Sequence, residues 1–257
     1  MSKLIAKLNR TMTGDAVPIG FTTSSSKPSH PQILTIAEVA FSNTLSSLPA
    51  VDTDAVLFRI EDTTAASDSL KALVEKSSID IWGVASDSIG KKETDMLSDM
   101  GCDFIVLSPL SPSVMLVNED GPGMILRIDA SMEDMLLRTI NMFDVHAVLI
   151  DDNDDTESGV ISIEQAMNYK RVSVMIEVPL IAALPSGSAT AGIDVLADVG
   201  VNGIALQWRS SEDDKDLVLL HKAIETLPVK TRKKRKKSKS SAKLPSFPVQ
   251  PEEDEFE

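Results

Sequence analysis

Short apolar runs rich in β-branched residues alternate with amphipathic stretches along the chain from Ile33 onward. The runs have the length and composition of strands, and the stretches between them have the 3.6-residue period of helices. Strands are predicted at 33–37, 55–60, 81–85, 104–108, 124–128, 147–150, 172–178 and 203–207. Helices are predicted at 65–76, 91–100, 132–143, 163–169, 191–199 and 213–226. This alternation is typical of βα units, in which the sheet is parallel.

The number of units predicts how the sheet closes. Eight units fit between residues 33 and 226, which is about 24 residues each, the spacing of a compact (β/α)8 barrel of the TIM type. We therefore expect an α/β fold in which residues 33–229 form the barrel. Residues 1–32 form a short N-terminal extension that closes the barrel bottom, with a helix over 3–12. Residues 230–257 form a disordered, charged C-terminal tail.

An internal match supports the count of eight. Residues 95–108 align without gaps with residues 194–207, with six identities in fourteen positions and an offset of 99 residues, half of the predicted barrel. The shared Gly101 and Gly200 fall where a helix ends in a left-handed residue before the next strand. Either a repeated half-barrel or convergence of two similar helix ends accounts for the match.

The helix predicted from Met132 has the clearest local signals. Ser131 and Asp134 suit a capping box at its start. Its apolar residues recur on one face, as in an amphipathic helix, and they are Met132, Met135, Leu136 and Phe143.

Composition places the chain among globular proteins of a reducing compartment. Of 257 residues, 42% are apolar and 25% charged, which is enough to bury a core. The single cysteine, Cys102, excludes an internal disulfide framework and a cysteine-rich zinc site. No apolar run approaches the roughly 20 residues of a membrane-spanning helix, and the first residues lack the pattern of a secretory signal. A cytoplasmic protein is expected.

The net charge of −14 conceals a strong segregation of charge. Nine of the residues from Lys230 to Lys243 are Lys or Arg, and five of the last six are acidic. Without these blocks, residues 1–229 keep 16 of the 25 basic and 34 of the 39 acidic residues, a net charge of −18. Such a body repels nucleic acid and anionic lipid, so contact with a polyanion or another protein is expected through the basic tail. The alternative is a solubilising extension.

Candidate chemistry lies at the carboxyl ends of the predicted strands, where barrels of this type carry their active sites. These ends carry Glu38, Arg59, Ser108, Asp129, Asp151, Gln207 and Arg209. Converging carboxylates suit Mg²⁺, so Asp129 and Asp151 are expected metal ligands. Arg59 and Arg209 are expected to hold an anionic ligand together with Ser108. The alternative for each Asp and Ser is that it caps the helix that follows.

Glu177 is a third expected metal ligand. It lies in the apolar run Val174-Met-Ile-Glu-Val-Pro179, where an ionised carboxylate is costly unless it faces a polar mouth. The segment from Met175 to Ala183 resembles the metal-binding strand of phosphoenolpyruvate and pyruvate barrel enzymes. The resemblance covers nine residues and implies that Glu177 holds magnesium. The second acidic ligand of that family falls on Leu206-Gln-Trp-Arg209, which has no carboxylate.

Two functions follow from these patterns. The first is a barrel that binds a small anionic or carbonyl metabolite at an acidic mouth, acting as a divalent-metal-dependent lyase. The second is a non-catalytic barrel that acts as a binding or scaffold protein through its charged tail. The second is favoured by the lack of a lysine in any predicted strand and of a histidine near the mouth.

Overall fold

A closed parallel barrel of eight strands forms the body of the protein. The computed structural model describes residues 2–13, 31–42, 48–77, 79–87, 89–110, 121–151, 160–187 and 192–227. The strands are β1 Leu34–Ala40, β2 Ala55–Arg59, β3 Trp82–Ala85, β4 Phe104–Leu107, β5 Gly123–Asp129, β6 Ala147–Asp151, β7 Leu180–Leu184 and β8 Gly203–Trp208. Each strand pairs with the next, and β1 pairs with β8 from Leu34 opposite Gly203 to Val39 opposite Trp208. The predicted (β/α)8 fold is confirmed. The predicted tail from residue 230 lies outside the described residues.

Helix α1 Lys3–Thr13 precedes the first strand. The other helices run back along the outside of the barrel, and they are α2 Thr63–Lys76, α3 Lys91–Asp99, α4 Asp134–Thr139, α5 Ile163–Met175, α6 Ile193–Val199 and α7 Asp214–Glu225. A 3-10 turn, Ile140–Met142, continues α4. None of these described helices combines the length and apolar character needed to cross a bilayer.

The alternation of side chains along each strand separates the interior into two apolar clusters. Outward-facing side chains such as Phe58 and Trp82 pack under the helices. Inward-facing side chains such as Leu57, Phe104 and Leu149 fill the lumen. The barrel is therefore a packed core over most of its height and not a pore.

The amphipathic helix α1 closes the amino-terminal end of the barrel. Leu4, Ile5 and Leu8 are buried and belong to the same cluster as the lumen side chains. The helix lies so close to β5 that a Cβ atom at Gly123 would be 2.7 Å from Ile5 Cγ1. Glycine at position 123 therefore permits the contact between helix and barrel.

The carboxylate of Asp103, just before β4, holds the start of α1. Its two oxygens accept hydrogen bonds from Ser2 Oγ at 2.7 Å, Lys3 N at 2.7 Å and Leu4 N at 2.9 Å. These bonds satisfy backbone donors that the first turn of a helix leaves unpaired. The side chain of Asp103 thus attaches helix α1 to the barrel.

The predicted strand at 172–178 is wrong. Helix α5 continues to Met175, and β7 begins five residues later at Leu180. The β-branched run predicted a strand, but Tyr169 and Val172 are spaced for a helix and are both fully buried against the barrel. Glu177 consequently lies in the loop that enters β7, and it is exposed.

The helix predicted from Met132 exists, but its start and its buried face differ from the prediction. It begins at Asp134, and Ser131 donates to the carboxylate of Asp129 and does not cap the helix. Leu137 and Ile140 are the buried residues. Its predicted apolar face is instead mostly exposed, as shown by Met135, Leu136 and Phe143.

The two helix ends of the internal match share one conformation. Gly101 and Gly200 have φ values of 85° and 104°, in the left-handed region. Beside them, Cys102 N donates to Leu97 O and Val201 N donates to Leu196 O. The predicted glycine caps are confirmed, and each leads within three residues into a strand.

Candidate functional site

Four strands place a charged side chain in the lumen near its carboxyl-terminal mouth. These side chains are Glu38 on β1, Arg59 on β2, Arg127 on β5 and Asp151 on β6, and we call them the lumen quartet. Each stands two residues beyond an apolar side chain of the lumen, so it points to the same side of its strand. Those apolar side chains are Ile36, Leu57, Ile125 and Leu149.

The quartet is an interlocked set of ion pairs. Arg59 Nε and Nη2 lie 2.8 and 2.6 Å from Glu38 Oε1. Arg59 Nη2 also donates to Asp151 Oδ2 at 3.3 Å. Arg127 stands across from the same two carboxylates, with Nη2 3.6 Å from Glu38 Oε1 and Nε 3.6 Å from Asp151 Oδ2. Two positive and two negative charges therefore balance within the lumen.

Several polar atoms of the quartet are buried and have no hydrogen-bond partner among the described residues. Glu38 is 3% exposed, and the side chains of Asp151 and Arg127 are 15% and 20% exposed. Among the described residues, Glu38 Oε2 and Arg127 Nε and Nη2 are buried without a hydrogen-bond partner. A buried polar group left in this way costs about 1–3 kcal/mol, and more when it is charged. One acceptor and two donors are thus available in the mouth.

Arg59 is the most exposed member and carries the strongest pairing. Burial of its guanidinium acts to lower the pKa of Arg59, but the nearby charges of Glu38 and Asp151 outweigh it and raise that pKa above its ordinary value. The side chain is a permanent cation at any working pH. It therefore serves to balance the two carboxylates.

Two of the predicted site residues stabilise turns beside the mouth. Ser108 Oγ accepts a hydrogen bond from Leu110 N at 3.3 Å. Asp129 Oδ1 accepts hydrogen bonds from Ser131 Oγ and N, which lower the pKa of the Asp129 carboxyl. Both contacts organise the turn that follows a strand. Asp129 does not cap the next helix, because α4 begins at Asp134 with Glu133 before it, so the alternative of a helix cap is wrong for Asp129.

The remaining predicted residues lie farther from the quartet. Arg209 follows β8 at the exposed rim, and its Nη2 donates to Gln207 Oε1 at 3.2 Å. Glu177 lies at the amino-terminal end of the barrel, opposite the mouth, where its backbone N donates to Asn141 Oδ1. The expectation that Glu177 faces the mouth is wrong. The predicted strand at 172–178 does not form, since its first residues are the last turn of helix α5.

The donor set does not fit a divalent cation. In the described ranges, no group of three or more His, Cys, Asp or Glu side chains is placed to hold a metal ion. The two carboxylates that do converge, Glu38 and Asp151, share their space with two guanidinium groups, which repel a cation. Magnesium on Asp129, Asp151 and Glu177 therefore finds no support in the geometry.

Arg127 was not among the predicted site residues, although its signal was present. It is a charged residue inside the apolar run Met124–Ile128, the same feature that drew attention to Glu177. In the sequence, Glu38 is one of several polar residues at the ends of predicted strands. The buried charge was a sound criterion, and the error lay in the assignment of the strand at 172–178.

Comparison with known proteins gives the fold and no family. Neither the protein-family models nor the curated proteins contain a match. Among solved structures, three variants of the tryptophan synthase alpha-subunit from the hyperthermophile Pyrococcus furiosus are similar. They share 13, 14 and 16% identity with this chain, cover 76–77% of it and 97–98% of their own length, and have TM-scores of 0.53–0.54. At this identity the likeness shows the barrel alone.

Proposed function

We propose that the protein binds a small anionic or carbonyl metabolite at the mouth of the barrel and transfers a proton on it through Glu38. One observation carries the proposal: among the described residues, Glu38 Oε2 and Arg127 Nε and Nη2 are buried without a hydrogen-bond partner, and the ion pairs of Arg127 are long, at 3.6 Å. The lumen just below the quartet is filled by apolar side chains. Buried ion pairs are seldom a net gain in stability, which favours a role in binding.

Three members of the quartet have distinct tasks in this proposal. The planar guanidinium of Arg127 presents donors that match a carboxylate, phosphate or polarised carbonyl. Glu38 Oε2 accepts a hydrogen bond from a hydroxyl group of the ligand, or it removes a proton from the ligand's carbon atom next to the carbonyl. Arg59 balances the charge of Glu38 and Asp151. A base beside a fixed cation is the arrangement that stabilises negative charge as it develops during proton transfer.

Ligand binding is tested by thermal unfolding of the protein with millimolar pyruvate, lactate, malonate or inorganic phosphate. At least one probe should raise Tm, because a ligand that binds only the folded state stabilises it. Arg127→Met should abolish the rise, whereas Arg209→Met, a guanidinium at the exposed rim, should retain it. No rise with any probe, or an unchanged rise in Arg127→Met, would falsify the binding role.

Proton transfer is tested by exchange into D2O. With pyruvate or another binding probe, NMR should show loss of the proton signal at the carbon next to the carbonyl. Glu38→Gln should stop this exchange while binding persists, and Asp129→Asn, outside the quartet, should leave it unchanged. Exchange at the wild-type rate in Glu38→Gln rules out Glu38 as the base.

A second candidate function is a binding or scaffold role through the charged tail. The observation that favours it is the block of nine Lys and Arg residues between positions 230 and 243, next to a body of opposite charge. Such a block is attracted to polyanions in proportion to its charge. This role needs no chemistry at the mouth, so the two functions are tested separately.

A further inference from the structure

The loops that follow β7 and β8 bind their own backbone donors through carboxylates at the start of α7. Gly187 N, three residues beyond β7, donates to Asp216 Oδ2 at 2.8 Å. After β8, Arg209 N and Ser210 N both donate to Asp213 Oδ2, at 2.7 and 3.2 Å. Asp213 is the residue before α7, and Asp216 lies in the first turn of that helix. These three backbone donors are therefore not open to a ligand.

The position of these loops is where (β/α)8 barrels frequently hold a phosphate group. In such barrels the loops after the seventh and eighth strands point backbone N–H groups at the phosphate, and the positive end of a helix adds to the attraction. In this protein the N–H groups named above face Asp213 and Asp216. Two fixed negative charges thus lie where a phosphate group would have to bind, and they repel it.

The same side of the rim carries further negative charge. Residues 209–216 contain four acidic and two basic residues, a net charge of −2. The first turn of α6, the helix that follows β7, carries Asp194 as well. A phosphate dianion that approaches the mouth beside β7 or β8 therefore meets a repulsive potential.

The lumen quartet sets a second limit on the charge of the ligand. Its two guanidinium groups and two carboxylates balance, so a bound monoanion leaves one uncompensated negative charge in the mouth, and a dianion leaves two. Because Glu38 is buried, solvent compensates such charge poorly. When Glu38 has taken up a proton, a monoanion is fully compensated and a dianion is not. The charge balance therefore favours a ligand with a single carboxylate.

We infer that the ligand of the mouth is a small monocarboxylate without a phosphoryl group, and that Asp213 and Asp216 exclude its phosphorylated analogues. This ligand class rests on the proposed function, in which Arg127 binds the carboxylate beside Glu38. Asp213 and Asp216 determine specificity from the rim: they repel a phosphoryl group and do not contact the monocarboxylate.

Matched pairs of ligands test the ligand class. Lactate with phospholactate, and pyruvate with phosphoenolpyruvate, each differ by one phosphoryl group and share the carboxylate. The dissociation constants follow from the dependence of Tm on ligand concentration, measured at low ionic strength so that the charges of the rim are little screened. In each pair the unphosphorylated member should bind about tenfold more tightly or better.

The role of the rim is tested by Asp213→Asn with Asp216→Asn, which removes two charges and keeps the side-chain oxygens that accept the backbone hydrogen bonds. This double variant should bind the phosphorylated members about tenfold more tightly than wild type, and the unphosphorylated ones within about twofold. The matched control is Asp99→Asn with Glu225→Gln. It removes two exposed charges at the last residues of α3 and α7, opposite the mouth, and should change each dissociation constant less than about twofold.

The outcomes separate the ligand class from the proposed function. If no probe raises Tm, the proposed function fails and the ligand class fails with it. If only malonate or inorganic phosphate binds, or a phosphorylated member binds as tightly as its partner, the mouth is a binding site but the ligand class is overturned. A double variant that discriminates as strongly as wild type overturns the role of Asp213 and Asp216. Circular dichroism checks folding, and each single variant, with an expected gain of about threefold, replaces a double variant that does not fold.

Discussion

At the scale of single residues, the lumen quartet is one electrostatic unit. Arg59 contacts both carboxylates, so Arg59→Met leaves Glu38 and Asp151 with only the more distant Arg127. We expect a loss of about 2–3 kcal/mol in the free energy of unfolding, because an uncompensated buried charge is costly. Glu38→Gln, which leaves an excess of positive charge, should cost about as much.

The effects of Arg59→Met and Glu38→Gln on the free energy of unfolding should not be additive. In Arg59→Met with Glu38→Gln the lumen regains its balance of one positive and one negative charge, so the double variant should lose less than the sum of the singles. Urea unfolding of the four proteins gives the coupling free energy. Strict additivity would show that the pair is not an interacting unit.

The buried Cys102 gives the protein a pH dependence in the alkaline range. Burial raises the pKa of its thiol from the ordinary value of 9.0 to about 12. Above pH 9 the unfolded chain loses this proton while the folded protein keeps it, so stability present below pH 9 falls as the pH rises toward 12. The fall should be about 1.4 kcal/mol per pH unit.

Chemical denaturation of wild type and Cys102→Ala between pH 8 and pH 12 isolates this contribution. The difference in unfolding free energy between the two proteins should narrow steadily above pH 9. A constant difference across the range would mean that the thiol ionises alike in both states. Thiol reagents should also react with Cys102 only after unfolding, since the side chain is buried.

At the scale of elements, α1 acts as the floor of the barrel. Leu8 is fully buried, and its Cδ2 would lie 3.2 Å from a Cβ atom placed at Gly203. Leu8→Ala should therefore lower the unfolding free energy by about 2–5 kcal/mol. Lys7→Ala, which removes only a partly exposed ion pair with Asp54, should cost less than about 1 kcal/mol. Equal effects of the two variants in urea unfolding would contradict the packing role of α1.

The elements themselves could be predicted from the sequence to a large extent. Seven of the eight predicted strands overlap observed strands, because alternation and β-branched composition are local signals. The exception, residues 172–178, shows where local signals fail: Val172 packs against the barrel from a helix, and β7 is the shorter run that follows. Because the strand was predicted at 172–178 and not at 180–184, Glu177 was expected at the mouth, although it lies at the opposite end of the barrel.

At the scale of the whole molecule, closure of the barrel creates the site. Arg59 and Asp151 are 92 residues apart in the chain and meet because both strands end at the same rim. The sequence identified Arg59 and Asp151 as strand-end residues, but their pairing depends on register across the lumen, which no local pattern contains. For the same reason the sequence predicted an acidic mouth, whereas Arg127 makes the lumen quartet neutral.

Charge segregation is a property of the entire chain, and it yields a prediction of its own. Residues 1–229 carry a net charge of −18 and should be repelled by a polyanion, so retention on heparin can come only from the basic block at 230–243. The full chain should be retained on heparin and elute only when the salt concentration is raised. The variant that lacks residues 230–257 should not be retained. Deletion of the acidic residues 252–257 alone should strengthen retention, since it removes five negative charges beside the block. Identical elution of the three proteins would mean that the body masks the basic block in solution, and the scaffold role through the tail would then have no physical basis.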